Sequence, residues 1–219
     1  MNVPRRVRNG AVISAGGLAL LAACGMAAST GRVGAVERAV FHAVNGLPDW
    51  LYRPLWFFQQ LGNLLVAFLV VLVLAVVLRR PRLAVAAVVA VVAKLYLEQV
   101  VKDVVQRARP GTSVGDAILR GQVSFGGLSF VSGHAVIAVA MATALSAVLS
   151  KRWRTMVWVL VALNGITRVY VGAHNPLDVV GGAGLGLAIG GPLYAWLTVD
   201  DDPGESDAGR ADHPTAAAA

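Results

Sequence analysis

The chain has 219 residues, of which 57% are hydrophobic and 14% charged, with a mean hydropathy of +0.66. A soluble domain carries roughly 45–50% apolar and about 25% charged residues, so composition excludes an ordinary soluble globule and a disordered chain. The single cysteine, Cys24, excludes a disulfide scaffold. Residues 200–219 hold six acids and one base, net −5, whereas residues 1–199 hold eighteen bases and six acids, net +12. These bases lie between apolar runs, which points to membrane anchoring and anion recognition and away from nucleic acid.

In chain order, a basic N-terminus (1–9, with Arg5, Arg6 and Arg8) leads into six apolar runs: Ala11–Ala28, Leu61–Leu78, Leu83–Val101, Phe130–Leu149, Met156–Ala173 and Leu177–Val199. A membrane helix needs about 20 predominantly apolar residues, and only helices cross in this number and length. The predicted fold is all-α, a polytopic six-transmembrane-helix bundle over residues 10–199, followed by an acidic disordered cytoplasmic tail at 200–219. The first run contains Leu21-Ala22-Ala23-Cys24-Gly25, the form of a secretory signal ending in a lipid-modified cysteine; the preferred reading is a retained span.

Residues 33–58 read differently. Val33, Val36, Val40, Phe41 and Val44 recur at helical spacing with Glu37, Arg38 and His42 between them. Asn45-Gly46-Leu47-Pro48 breaks the pattern, and Trp50, Tyr52, Trp56, Phe57 and Phe58 follow. The prediction is an interfacial segment, acting either where a lipid substrate approaches or only as an anchor. Three compact basic clusters, at 5–8, 79–82 and 151–154, flank alternate helix ends. With positive charge inside, both termini are cytoplasmic and the segments 31–60, 103–129 and around His174 are extracytoplasmic, in a multi-pass protein of the cell membrane.

Few residues in the runs carry chemistry. Lys94, Glu98 and Lys102 share one helix face; Lys94 and Glu98 read as an internal ion pair, with Lys102 presented at the outer end. Ser132 and Gly133 sit at a helix N-terminus, a position that suits an anion and equally an ordinary cap. His134 is on the first turn beyond. Arg168 lies near the end of the fifth run, and His174 and Asp178 are four apart, so that the carboxylate can accept from imidazole Nδ1. Arg107 and Arg120 read as outer-loop charges that steer an anion, and Asp103 as a loop charge. His42 and His213 fall outside these motifs. Gly182, Gly186 and Gly190 form a doubled G-x-x-x-G that reads as a packing face or as the interface of a homo-oligomer.

Together, Lys102-x6-Arg109-Pro110, Ser132-Gly133-His134 and Arg168-x5-His174-x3-Asp178 resemble the three-part signature of the phosphatidic acid phosphatase type 2 and haloperoxidase superfamily. Val131 and Thr167 stand where that family usually has proline and serine. The resemblance implies a lipid phosphatase in which His174 attacks phosphorus to form a phosphohistidine and Asp178 orients it. His134 would protonate the departing oxygen and then activate water. Lys102, Arg109, Ser132, Gly133 and Arg168 would hold the phosphate, with no metal and no cofactor. Three cations at one level suit a phosphoryl group and repel a metal. The expected substrate is a membrane lipid phosphate or diphosphate, first a polyprenyl diphosphate and second a phosphatidate or other glycerolipid phosphate. The alternatives are a non-hydrolytic lipid-phosphate binder or transporter, and a vanadate haloperoxidase, which the hydrophobicity of the chain disfavours.

Overall fold

The computed structural model describes residues 3–198; the acidic tail and His213 lie outside the described residues. The elements are α1 (Arg5–Ala28), α2 (Ala35–Asn45), α3 (Tyr52–Gln59), α4 (Leu64–Val77), α5 (Pro81–Val105), α6 (Pro110–Ser113), α7 (Gly133–Leu145), α8 (Lys151–Tyr170) and α9 (Pro176–Leu197). Each apolar run of the sequence contains a helix among the described residues. Among the described residues, α1, α5 and α9 are long and apolar enough to cross a membrane. A fourth span results if Asp49–Gly62 and Leu64–Val77, bent by 68°, act as one.

Two of the six expected spans fall short of that test for physical reasons. The 13 residues of α7 rise about 20 Å at 1.5 Å per residue, less than a hydrocarbon core of about 30 Å. The 20 residues of α8 include Lys151, Arg152, Arg154, Asn164 and Arg168, which lower its hydropathy.

Helix α7 is the axis of the bundle: residues 135–145 are all buried. Outward faces of α4 and α5 stay apolar, with Val73, Val76, Val92 and Val104 exposed, as lipid-facing surfaces are. Helices α1 and α9 meet backbone to backbone. A Cβ at Gly17 would stand 2.5 Å from the Gly184 carbonyl oxygen, so only glycine permits this approach. Helix α1 runs unbroken through buried Cys24.

The doubled G-x-x-x-G is closed to a second copy. A Cβ at Gly182 would meet the Ser132 carbonyl oxygen at 2.7 Å, one at Gly186 the Val136 carbonyl oxygen at 2.7 Å, and one at Gly190 the Thr143 Cβ at 2.5 Å. The stripe is the seat of α7, and the homo-oligomer expected through this face is corrected accordingly.

The interfacial segment is also more than an anchor. Phe41 and Asn45 of α2 are buried. Asn45 Nδ2 donates to the carbonyls of Ile118 and Tyr170 at 2.9 Å each, while its Oδ1 accepts from Ile118 N at 2.8 Å. This helix lies across one end of the bundle and ties the 106–130 loop to the end of α8.

Candidate active site

The three motif segments converge at that end through backbone pairing. Pro110 opens α6 and disfavours helical backbone at Arg109, which is extended (φ −68°, ψ 159°). Segments 107–109 and 127–129 then run antiparallel: Arg109 N donates to Gly127 O at 3.2 Å, Ser129 N to Arg107 O at 2.7 Å, and Ala108 bridges Leu128. Ser132 N donates to Asp178 O at 2.9 Å, joining the second motif to the third. These bonds hold the segment around Val131, so the residue standing in place of proline does not leave it loose. At the end of α8, Gly172 takes φ +75°, where a Cβ would meet Ile118 O at 2.6 Å. That left-handed turn sends the chain back so that His174 faces Arg168.

A cavity of about 320 Å³ lies at this junction. It is lined by Lys94, Glu98, Lys102, Arg109, Gly133, His134, Arg168 and His174, with Gly62, Asn63 and Leu64 from the bend before α4. The structure therefore brings together all the residues expected to bind phosphate, except that Ser132 lies just behind the wall, and both histidines.

Within it, Glu98 does more than pair with Lys94. Its carboxylate bridges Lys94 Nζ at 2.7 Å and Lys102 Nζ at 2.5 Å, and fixes both ammonium groups on the wall. Gly133 lies against this carboxylate: a Cβ there would sit 2.6 Å from each oxygen. The glycine of Ser132-Gly133-His134 thus leaves room for the Glu98 carboxylate, which would have to shift to admit a Cβ. Ser132 is in the N-cap position of α7 yet its side chain makes no cap bond. Ser132 Oγ and Arg168 Nε are buried with no hydrogen-bond partner among the described residues. Orphaned donors are costly when buried, and here they stand at the cationic cavity. Arg168 Nη1 donates to Gln59 Oε1 at 2.9 Å, and Arg109 Nη1 to Ala173 O at 3.3 Å.

The histidine–aspartate pair departs from the expected geometry. His174 Nδ1 is 3.0 Å from the Ser129 carbonyl oxygen and 3.8 Å from Asp178 Oδ2. In the tautomer with a proton on Nδ1, that carbonyl is the acceptor and Nε2 is the free lone pair. Asp178 acts at one remove: Ser129 Oγ donates to its Oδ2, and Asn175 N donates to the same oxygen at 2.7 Å. Burial, reinforced by Arg168 and Arg109, holds His174 below the ordinary imidazole value against the opposite pull of Asp178.

Arg107 and Arg120 are not steering charges. Arg107 is wholly buried. It forks onto Glu37 of α2 at 2.9 and 2.5 Å and reaches Asp178 Oδ1 at 3.1 Å; Glu37 Oε1 also accepts from Leu177 N at 3.0 Å. Arg120 clamps the carbonyls of Asn45 and Tyr170 at 2.7 Å and Leu47 at 3.0 Å, with its guanidinium 4.2 Å above the Tyr170 ring. Sequence reading passed over Glu37, Ser129 and the Arg107 link. The signal present was Arg107 two residues before Arg109, but burial has no local signature there.

Chemically, the cavity offers cations and donors for phosphate oxygens, a neutral imidazole as nucleophile and a second imidazole for proton transfer. The described chain resembles known proteins in the same region. A family model described as the PAP2 superfamily matches residues 83–201. The lipid A 4′-phosphatase of Bacteroides thetaiotaomicron is 40% identical over 73 residues, 33% of this chain and 32% of that protein; the match spans about a third of that relative's length. The crystal structure of Aquifex aeolicus LpxE aligns with a TM-score of 0.66 at 25% identity, covering 73% of this chain and 95% of that one. A transmembrane PAP2-type phosphatidylglycerolphosphate phosphatase from Bacillus subtilis aligns at 0.65 with 24% identity, covering 83% and 95%, a likeness of fold.

Proposed function

The chain belongs to the PAP2 superfamily, and on that premise we propose that it is an integral membrane lipid phosphatase working through a phosphohistidine at His174. The observation that carries this reading is the convergence of Lys102, Arg109, Arg168, His134 and His174 on one cavity of about 320 Å³. Phosphoryl transfer needs charge stabilised on the equatorial oxygens and a nucleophile in line with the leaving group. The three cations, with Ser132 and Gly133, supply the first requirement. His174 supplies the second, and attack by its Nε2 forms the P–N bond as the P–O bond to the leaving group breaks. His134 gives its proton to that oxygen, then takes one from the water that releases inorganic phosphate. The cationic wall repels a metal ion, so the reaction is metal-independent.

In this reading all six apolar runs are embedded, with α7 shielded from lipid by its neighbours and α8 turning Met156, Val159 and Ile166 toward it. Both termini are cytoplasmic and the cavity faces the extracytoplasmic side of the cell membrane, which the basic clusters at 79–82 and 151–154 support. The substrate keeps its tail in the bilayer. A polyprenyl diphosphate and a glycerolipid phosphate are the candidates from hydrophobicity and topology alone.

The test is phosphate release from lipid phosphates by purified protein, with and without chelator. Wild type turns over in chelator and traps an acid-labile phosphoenzyme, while His174→Ala releases none. Undiminished turnover in that variant sinks the mechanism, and tight lipid-phosphate binding without turnover by wild type favours a binder instead.

A further inference from the structure

The resemblance implies that Asp178 orients His174, yet the carboxylate oxygens are engaged elsewhere. Oδ1 accepts from Arg107 Nη1 at 3.1 Å. Oδ2 accepts from both Ser129 Oγ and Asn175 N, which fills the two lone-pair directions of one carboxylate oxygen. His174 Nδ1 stands 3.8 Å from that Oδ2, beyond hydrogen-bond reach. Two restraints keep the gap open. Asp178 closes a capping box with Asn175 in the first turn of α9, and Arg107 grips its other oxygen.

The ring has nearer acceptors, and both belong to Ser129. Its carbonyl oxygen is 3.0 Å from His174 Nδ1, and its Oγ is 3.4 Å away. Ser129 is wholly buried. Its backbone is set by the pairing of 127–129 with 107–109, where Ser129 N donates to Arg107 O at 2.7 Å. A hydroxyl has one proton, and this one is given to Asp178. The oxygen therefore turns a lone pair toward Nδ1, and an N–H there meets two acceptors on a single residue.

We propose that Ser129 is the positioning residue of the nucleophile: it selects the tautomer with a proton on Nδ1 and transmits the charge of Asp178 to the ring. This rests on the phosphatase reading and deepens it. As Nε2 bonds to phosphorus and the P–O bond to the leaving group breaks, the ring becomes a cation with its proton still on Nδ1. Ser129 Oγ, its own proton drawn toward the carboxylate, faces that charge. No proton leaves the ring, and Asp178 stays ionised throughout.

The experiment is a double-mutant cycle on phosphate release from a lipid monophosphate in mixed micelles, with Ser129→Ala, Asp178→Asn and the two combined. Ser129→Ala is expected to lose at least tenfold in kcat with KM nearly unchanged, since the phosphate ligands are untouched. Because Asp178 acts through the hydroxyl, the double variant is expected to turn over no more slowly than Asp178→Asn alone. Ser129→Cys, which leaves no void and donates more weakly, is expected to lose kcat in the same way and carries the test if the alanine chain does not fold. Wild-type kcat in both Ser129 variants, a loss confined to KM, or additive losses in the cycle overturns the positioning role and leaves the phosphatase standing. No phosphate release by wild type overturns the phosphatase reading and this role with it.

Discussion

Arg107 Nη1 lies 3.1 Å from Asp178 Oδ1, and neither side chain has any solvent exposure. One guanidinium thus holds two carboxylates, Asp178 behind the candidate nucleophile and Glu37 on α2. Removing one partner of a buried ion pair costs about 3–5 kcal/mol because the other charge is stranded. Arg107→Ala is expected to lose that order of stability, read by thermal unfolding in detergent. Arg107→Lys keeps the charge without the planar fork and should retain the fold with reduced kcat. Wild-type melting and turnover in Arg107→Ala would show that the link is idle.

Gly133→Ala tests the contact with Glu98. The added Cβ would displace a carboxylate that holds both Lys94 and Lys102. Phosphate release is expected to fall at least tenfold, with a raised KM, because the ammonium groups lose their fixed positions. Inorganic phosphate inhibition, measured in the same variant, should weaken in parallel. Unaltered values for both would show that the carboxylate yields freely.

The proton-donor role assigned to His134 predicts a dependence on the leaving group. General acid catalysis is worth roughly 10²–10⁴-fold, and a phenolic leaving group needs little of it. His134→Gln should therefore lose far more activity on an alkyl phosphate than on an aryl phosphate during the first turnover. Equal losses on both would assign His134 to binding instead.

The lowered His174 value sets a pH dependence. An imidazole ordinarily titrates near 6.5. A depressed value keeps the ring neutral, and nucleophilic, as pH falls through about 6.5, so the acid limb of kcat/KM is expected below that pH. The stability effect has the same sign. Below about 6.5 the unfolded chain takes up a proton that the folded site excludes, so this contribution is complete above that pH and declines as pH falls toward the folded value. An acid limb of wild-type kcat/KM at or above 6.5 would contradict the assignment.

Gly186→Val probes the seat of α7. Overpacking costs about 1–3 kcal/mol or more where backbone must move, so a lower melting temperature with an unchanged oligomeric state is expected. Dissociation of a dimer by this change, with melting unaffected, would restore the stripe as an interface between copies.

Much of this architecture is legible in residue order because lipid and helix geometry impose strict periods. The six runs announce themselves by length, and the charged motif residues by their rarity within apolar surroundings. Lys94–Glu98 was readable from i, i+4 spacing alone. What escapes is whatever depends on chain segments far apart in sequence. Arg107 looks like a loop charge until α2 delivers Glu37 from 70 residues away, and Ser129 gains its part only when its carbonyl and hydroxyl meet His174 and Asp178. The glycine stripe was legible as a contact surface, but local sequence has no means of saying whose backbone fills it.

Backbone-on-backbone seating has a mechanical consequence. Helices α1, α7 and α9 touch through glycines at Gly17, Gly184, Gly182 and Gly186, where an added Cβ would stand 2.5–2.7 Å from a neighbour's backbone oxygen, so they have little small adjustment to make and move as one body. The give needed to admit a headgroup then falls on the opposite wall, where the 68° bend between α3 and α4 supplies Gly62 and Asn63 to the cavity and Gln59 to Arg168. Amide exchange should be slow along α9 and fast across residues 59–63, and a disulfide locking that bend should arrest turnover while leaving the glycine-seated half untouched.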